Sequence, residues 1–200
     1  MNLSFTAGDD VLDCIVFESA SGSPIYQLQT PKYSGRVLTT TASRCDGSSW
    51  PAFQILWAGT SLEHTKLVLD FTTRAKYKAR DIFPGAQGGS TYGSITINNV
   101  QYKWKAKGTG PKLVLVNNDT KAVVVESHRR ITGNGSFLKT KTPRYMNLDI
   151  GGEVVEHTEL VLLTFILVWK ERIGERAKSV PAGLRGIAPD LTSAVLMNSH

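Results

Sequence analysis

The side chains with the most distinctive chemistry in this sequence are basic residues that recur at every second position. They form two sets, one in RAKYKAR and one in QYKWKAK: Arg74, Lys76, Lys78 and Arg80, then Lys103, Lys105 and Lys107. If each segment is a β-strand, alternation places its basic side chains on one face and its aromatic side chains on the other, toward the core. Two such strands would form a basic wall that attracts anions. Lysines on exposed strands can also serve only to prevent aggregation, and that simpler explanation stays open.

The net charge of +6 is concentrated in the middle of the chain. Residues 1–73 carry four basic and seven acidic side chains, residues 74–148 carry fourteen and three, and residues 149–200 carry five and seven. Arg129 and Arg130, in SHRR, add another anion-attracting corner to the middle third. This pattern indicates an anionic partner such as a membrane surface. We do not expect nucleic acid, because the aromatic rings of both basic segments face away from the lysines and would not stack on bases beside them.

Three residues in predicted loops suggest a different ligand. Trp50 and Tyr92 are aromatic residues in turn-rich segments, and Asn98 lies in an Asn-Asn turn. Exposed aromatic rings in loops suit the binding of sugars, because one face of the ring is apolar and available for stacking. A shallow carbohydrate site around these three residues is therefore an alternative, and it needs none of the basic side chains.

The sequence lacks the motifs that would indicate catalysis. GxSxG, HExxH and GxxxxGK[ST] do not occur, and the glycine-rich GAQGGSTYG lacks the Lys-Ser/Thr pair of a phosphate-binding loop. His64, His128 and His157 each lie near a glutamate but more than 25 residues from one another, so no local metal-binding spacing exists. Cys14 and Cys45 are the only cysteines, and we expect both to be reduced. We expect no enzyme activity, no catalytic residue, no metal and no cofactor.

A long apolar segment near the C-terminus must be enclosed by the rest of the fold. Residues 160–169 read LVLLTFILVW and carry no charge. A helix that spans a bilayer needs about 20 apolar residues, so this segment predicts a buried element and no transmembrane span. A helix over residues 159–173, with Thr158 as its N-cap, would be apolar on nearly every side and would have to be surrounded. We expect Thr164 and Phe165 to be fully buried.

The rest of the chain has the pattern of short β-strands separated by turns. Clusters of Gly, Asn, Asp, Pro and Ser recur about every 8 to 12 residues, which is typical of a barrel or a sandwich. The predicted strands are 12–18, 25–29, 35–41, 52–57, 66–69, 94–97, 101–105, 112–116, 122–127 and 144–148. We expect one domain over residues 1–178 and an irregular extension over residues 179–200. The N-terminus has no signal-peptide pattern, which favours a cytoplasmic location.

The order of several segments resembles that of a known protein family. PIYQLQT, FQILW, VQYKWK, KLVLVNNDTKAVVVES and ELVLLTFILVWKERIGER follow one another as in a basidiomycete family of unknown function in the tubby C-terminal-like superfamily. Phospholipid scramblases and LURP-one-related proteins belong to the same superfamily. The resemblance implies a closed antiparallel β-barrel of about twelve strands around a hydrophobic central helix. Tubby domains bind phosphoinositide headgroups through basic residues on the outside of the barrel, and the two basic sets are the feature of this chain to which that chemistry can be transferred, although no functional motif can be.

Together these features favour a non-enzymatic binding module. The expected ligand is an anionic lipid headgroup at a membrane surface, bound by the two basic sets and by Arg129 and Arg130. Two alternatives stay open. One is a structural or protein-interaction domain that binds a protein partner or forms a homo-oligomer, and the other is a lectin-like carbohydrate-binding protein.

Overall fold

This chain folds into a mainly β structure with one long C-terminal helix. The computed structural model describes residues 1–6, 11–33, 36–37, 39–58, 62–84, 91–108, 112–131 and 144–179. The extension predicted over residues 179–200 lies outside these ranges, apart from residue 179. That residue is the last one of the helix.

The described residues form fourteen strands, two α-helices and one 3-10 helix. The strands are β1 Asn2–Phe5, β2 Cys14–Glu18, β3 Pro24–Gln29, β4 Lys32–Tyr33, β5 Arg36–Val37, β6 Thr39–Arg44, β7 Pro51–Leu56, β8 Lys66–Val68, β9 Lys76–Lys78, β10 Thr91–Ile97, β11 Val100–Ala106, β12 Leu113–Asn117, β13 Val123–Ile131 and β14 Arg144–Ile150. The helices are α1 Ala79–Ile82, the 3-10 helix Gly152–His157 and α2 Thr158–Ser179. Each of the ten predicted segments overlaps a strand, and β9 lies within the first basic set, whereas β1 and β4 were not predicted.

Twelve of these strands form one antiparallel sheet. Their order is β10-β11-β12-β13-β14-β1-β2-β3-β6-β7-β8-β9, and β4 and β5 pair separately. Most neighbours in the sheet are also neighbours in sequence, as expected for a chain of hairpins. The strand β1 is an exception, because it pairs with β14 on one side and with β2 on the other. The first strand of the chain therefore lies in the middle of the sheet.

The sheet is open, so the closed barrel implied by the resemblance is wrong. Its two end strands, β9 and β10, do not pair with each other among the described residues. The reason is local: β9 has three residues and leads directly into α1, so the chain leaves strand geometry. The segment after α1 nevertheless contacts the other end of the sheet, since Ser94 N donates to Pro84 O at 3.0 Å. Gly93, with φ of +114°, permits this approach because a Cβ there would lie 2.8 Å from the Phe83 ring.

The helix α2 is the centre of the hydrophobic core. Phe165 packs against Phe5 of β1, with ring centroids 5.7 Å apart, and against Trp104 of β11 at 5.9 Å. Trp104 Nε1 also donates to Thr164 Oγ1 at 3.0 Å. Strands from the centre and from one end of the sheet thus contact the same turn of the helix, which means that the sheet curves around it. The predicted full burial of Thr164 and Phe165 is confirmed.

The two ends of α2 differ from the prediction in detail. The helix begins at Thr158, so this residue is the first of the helix and not the cap before it, and its hydroxyl donates to Val155 O. Instead, the preceding 3-10 helix leads directly into α2. The helix continues past Ile173 to Ser179, which extends the predicted range by six residues. No described helix is long and apolar enough to cross a membrane.

Turn chemistry fixes the hairpin registers on one side of the sheet. Asn98 and Asn99 both have positive φ, 50° and 63°, in the two-residue turn that joins β10 to β11. Asparagine tolerates this left-handed conformation, which matches the right-handed twist of the strands. The hairpin predicted from TINNVQYKW is therefore confirmed, as is the one between β12 and β13.

Candidate anion-binding site

The β8–β9 hairpin forms one end of the sheet and carries the highest density of exposed basic side chains in the described chain. Lys66 pairs directly with Lys78, and Val68 pairs with Lys76. Leu67, between them, is fully buried and pairs with Tyr77. Because successive side chains alternate between faces, the three lysines lie on the face opposite to the buried leucine. The outer face of the sheet is thus basic at this end.

A cleft of about 500 Å³ opens beside this basic face. It is lined by residues from the end of β7, the segment before β8, both strands of the hairpin and α1: Ala58, Glu63, His64, Lys66, Lys78 and Arg80. Three of these six side chains, Lys66, Lys78 and Arg80, are basic, and one, Glu63, is acidic. The cleft therefore combines concave shape with positive charge, as a site for a phosphate group requires.

Only part of this positive charge is neutralised by neighbouring carboxylates. Arg80 lies 4.0 Å from Glu63 and 3.8 Å from Asp81, and its side chain is about half exposed. Lys66 and Lys78 form no ion pair within the described residues. Like charges placed directly opposite on adjacent strands repel each other, so this pair destabilises the hairpin slightly. An anion bound between the two ammonium groups would relieve that repulsion.

Two features of the first basic set were predicted wrongly. Arg74 and Arg80 do not extend the strand, because Arg74 lies in a turn with φ of 52° and Arg80 belongs to α1. Only Lys76 and Lys78 remain on β9 with the expected alternation. Tyr77 was expected to face the core, but it is 43% exposed. Its side chain has the parity of buried Leu67, yet β9 ends the sheet and the described chain covers the residue only in part.

The second basic set follows the prediction more closely. Tyr102 and Trp104 are buried in β11, whereas Lys103 is half-buried and Lys105 is exposed on the opposite face. Lys107 lies beyond the end of β11, where its Nζ is 3.4 Å from Glu126 Oε1. Lys112 contacts the same carboxylate and holds the pKa of Glu126 below its ordinary value.

The two basic sets do not form one continuous wall. β9 is the last strand in the sheet order and β11 is the second, so neither pairs with the other. The segment that follows β9 contacts β10 through the Pro84–Ser94 hydrogen bond, which leaves α1 and β10 between the two sets. The geometry thus separates a compact basic cluster at β8–β9 from a more dispersed one on β11.

The predicted corner at residues 128–130 lies on β13, far from β9 in the order of strands. His128 Nδ1 is 3.3 Å from Asp149 Oδ2, so its neighbourhood is not purely basic. The side chains of Arg129 and Arg130 lie outside the described part of the structure. Their proposed role in binding anions stays a prediction.

The three carbohydrate candidates are not brought together as exposed groups. Trp50 is 55% exposed, and Asn98 is exposed at the tip of the β10–β11 turn. Tyr92, however, is only 1% exposed, because it lies within β10 and not in a loop. Its hydroxyl accepts a hydrogen bond from Arg172 Nη1 of α2 at 2.7 Å. The assignment of Tyr92 to an exposed sugar platform is therefore wrong.

Sequence reasoning missed Lys66 and His64 as partners of the first basic set. The signal was present, since KLVL and KYK flank the turn-rich DFTTRA and would pair as a hairpin. Pairing the two segments brings Lys66 opposite Lys78, which neither segment shows by itself.

Across the described ranges, no three His, Cys, Asp or Glu side chains are grouped so that they could hold a metal ion. Cys14 is buried and Cys45 is exposed, and the two are not joined by a disulfide in this structure.

These features define a class of mainly β protein in which one antiparallel sheet curves around a C-terminal helix and ends in a basic hairpin. The match of a family model extends over residues 9–173 and covers most of the chain. The chain belongs to this family, which is described as a family of unknown function (DUF6593).

Other comparisons give little beyond the family. No curated protein matches the chain. A protein of Arabidopsis thaliana, whose structure was solved by X-ray crystallography, is similar to it with 10% sequence identity and a TM-score of 0.43. That similarity covers 81% of this chain and 87% of the Arabidopsis chain.

Proposed function

We propose that this protein is a non-enzymatic module that binds anionic lipid headgroups at a membrane surface through the β8–β9 hairpin. The observation that carries the proposal is the direct pairing of Lys66 with Lys78 at the rim of a cleft that also contains Arg80 and His64. Clustered ammonium and guanidinium groups are the donors that phosphate oxygens prefer in proteins. The exposed position at the end of the sheet leaves this cluster accessible to a flat surface.

The energetics favour reversible attachment. Each basic side chain near an anionic membrane contributes about 1 kcal/mol, so the four or five cations of this hairpin support binding without insertion of a helix. The mutual repulsion of Lys66 and Lys78 adds to the gain, since a phosphate between them removes it. The predicted cytoplasmic location fits this proposal, because the cytoplasmic leaflet carries most of the anionic lipid.

The experiment is sedimentation of the protein with vesicles of phosphatidylcholine that contain phosphatidylserine or a phosphoinositide. We expect the double variant Lys66→Glu/Lys78→Glu to bind about 30-fold more weakly or worse, since two attractive charges become repulsive. The matched control is Lys103→Glu/Lys105→Glu, which makes the same change of charge on β11 and should keep most of the binding. Equal loss of binding in both variants would show that the hairpin is not the specific site. If the wild-type protein stays in the supernatant while the vesicles sediment, the proposal is wrong.

The alternatives and the wider relationship stay predictions. A structural or protein-interaction role predicts a defined oligomer or a protein ligand and no binding to vesicles. For a carbohydrate-binding role, Trp50 and Asn98 are still candidates because they are exposed, whereas Tyr92 is buried in the core. Membership of the tubby C-terminal-like superfamily and a basidiomycete origin, which the sequence resemblance implies, are likewise proposals.

A further inference from the structure

Exposed apolar side chains gather at the same end of the sheet as the basic cluster. Six large hydrophobic residues are exposed in the described chain, and three of them, Trp50, Leu69 and Tyr77, belong to β7–β9 and the turns beside them. Trp50 is the most exposed of the six, at 55%. Single exposed hydrophobic residues need no explanation, but several at one place in a fold often mark an interaction surface.

Trp50 and Phe71 form a stacked pair at the end of β7 and β8 that lies opposite to the connection between these two strands. Their ring centroids are 6.5 Å apart and the ring planes are inclined by 24°. Trp50 directly precedes β7 and Phe71 follows shortly after β8, so both rings lie beyond the last paired residues. The pair is separate from the main core, whose aromatic contacts centre on Phe165. Its stacking holds the Trp50 ring in place while leaving more than half of it in water.

The aromatic pair and the Lys66–Lys78 pair lie at opposite ends of the same strands, so a surface that contacts both must extend along the hairpin. Phe71 lies five positions after Lys66, a distance of at most about 17 Å along an extended chain. One acidic group lies between them, Asp70, but its carboxylate accepts hydrogen bonds from Thr72 N at 2.8 Å and Thr73 Oγ1 at 2.9 Å. These bonds stabilise the turn and lower the pKa of Asp70. Lysine and arginine outnumber this one carboxylate along the hairpin.

We infer that the Trp50–Phe71 pair, with Leu69, is an interfacial anchor that enters the headgroup region of the anionic bilayer bound by Lys66 and Lys78. This inference rests on the proposed function and adds which side chains enter the headgroup region of the bilayer. Tryptophan prefers the interface of a bilayer, because its ring is apolar while its N–H still reaches water and polar headgroups. The basic residues of the same hairpin, of which Arg74 and Lys76 lie nearest to the pair in sequence and register, supply the charge complementarity that selects an anionic bilayer as the occupant.

The fluorescence of the unmodified protein tests this anchor directly. Trp57, Trp104 and Trp169 are buried, so Trp50 is the exposed indole among the four. We expect vesicles that contain phosphatidylserine to shift the emission to shorter wavelength, and brominated lipids to quench the shifted emission. In Trp50→Phe both changes should disappear, while Trp50→Ala should bind the vesicles about tenfold more weakly. Soluble inositol phosphate should compete with the vesicles without shifting the emission by itself.

The possible failures separate the anchor from the proposed function. Vesicles that sediment the protein without a shift or quenching would overturn the anchor and leave headgroup binding intact. Absence of sedimentation would overturn both. An emission change caused by neutral oligosaccharides, with none caused by vesicles, would assign Trp50 to a sugar and overturn the anchor. Ile15→Ala, on β2, removes another exposed apolar side chain and serves as a control that should leave vesicle binding unchanged.

Discussion

At the scale of single residues, one carboxylate joins the sheet to the start of the central helix. Glu159 of α2 accepts hydrogen bonds from Arg44 Nε at 2.5 Å and from Arg44 Nη2 at 2.8 Å. The Tyr26 hydroxyl donates to the same carboxylate at 3.5 Å. Bidentate pairs of this kind are geometrically specific, so the contact fixes how the first turn of α2 sits against β3 and β6.

The Tyr26 phenol makes the stability of the fold depend on pH at the alkaline end. Burial, and then the negative charge of Glu159, raise the pKa of Tyr26 to about 12, from an ordinary value of 10.0. Between these two values only the unfolded chain releases the proton, so the free energy of unfolding falls as the pH rises from about 10 to about 12. We expect the free energy of unfolding of Tyr26→Phe, measured by urea denaturation, to decline less steeply with pH across this range.

The matched control for this prediction is Tyr77→Phe. Tyr77 is exposed, so its substitution tests the loss of a hydroxyl without burial. The profile of this control should follow that of the wild type. If the stability of Tyr26→Phe fell with pH as steeply as that of the wild type, Tyr26 would not be the cause of the alkaline pH dependence.

At the scale of elements, the helix α2 and the curved sheet stabilise each other by burying each other's apolar surface. Residues 161–169 of the helix are buried in every direction, which a single helix achieves only when other elements surround it. The sheet in turn has one apolar face that would be exposed without the helix. The hydroxyl of Thr164 fits this apolar environment because it accepts from Trp104 Nε1 and can donate to Leu160 O, 2.9 Å away. Each buried polar atom of this pair therefore has a partner.

Phe165 is the position at which a single change should separate the helix from the sheet. Phe165→Asp places a carboxylate among buried rings and costs several kcal/mol, which is comparable with the whole stability of a domain. We expect this variant to lose the cooperative thermal transition, measured by circular dichroism. Phe165→Leu keeps an apolar side chain of similar size, costs about 1 kcal/mol, and should stay folded. A folded Asp variant with the wild-type Tm would refute the central position of the helix.

At the scale of the whole molecule, the charge that the sequence concentrates in residues 74–148 is distributed over several strands. The β8–β9 hairpin holds one cluster at the end of the sheet, together with Lys66 from the preceding third of the chain. Lys103 and Lys105 lie near the other end of the sheet order, and Lys107 and Lys112 share Glu126. Arg80 lies close to Glu63 and Asp81, whereas Lys66 and Lys78 have no ion pair among the described residues. We therefore expect the hairpin to be the side that the molecule turns toward an anionic surface.

The dependence of vesicle binding on ionic strength should show which side of the molecule contacts the membrane. When ionic strength rises from about 0.05 M to about 0.5 M, screening shortens the reach of exposed charges and vesicle binding should weaken. We expect a shallower salt dependence in Lys66→Gln/Lys78→Gln, because fewer cations then contact the surface. Lys103→Gln/Lys105→Gln should keep the wild-type dependence. A slope that is unchanged by the first pair would mean that these lysines do not contact the lipid, whatever the total affinity.

The sequence predicted more of the fold than of the candidate site. Residues 160–169 lack charge, which predicted a buried element, and the flanking residues Thr158 and Glu159 favoured a helix; the turn residues Asn98 and Asn99 specified their hairpin. By contrast, β1 was missed because four residues at the start of a chain show too little alternation to be recognised. Arg74 was assigned to a strand because its spacing fits one, whereas the turn that Asp70 stabilises reaches as far as this residue.

Local pattern by itself determined the strands, the buried helix and the middle of the chain as the basic part, because alternation and hydrophobicity act between near neighbours. Only the tertiary structure decided that the sheet stays open, that Lys66 faces Lys78, and that Trp50 stacks on Phe71 at the other end of these strands. The physical reason is that pairing register and sheet curvature depend on contacts between residues distant in sequence. Tyr77 and Tyr92 illustrate this: the end of a sheet exposes one ring, and the curvature around α2 buries the other.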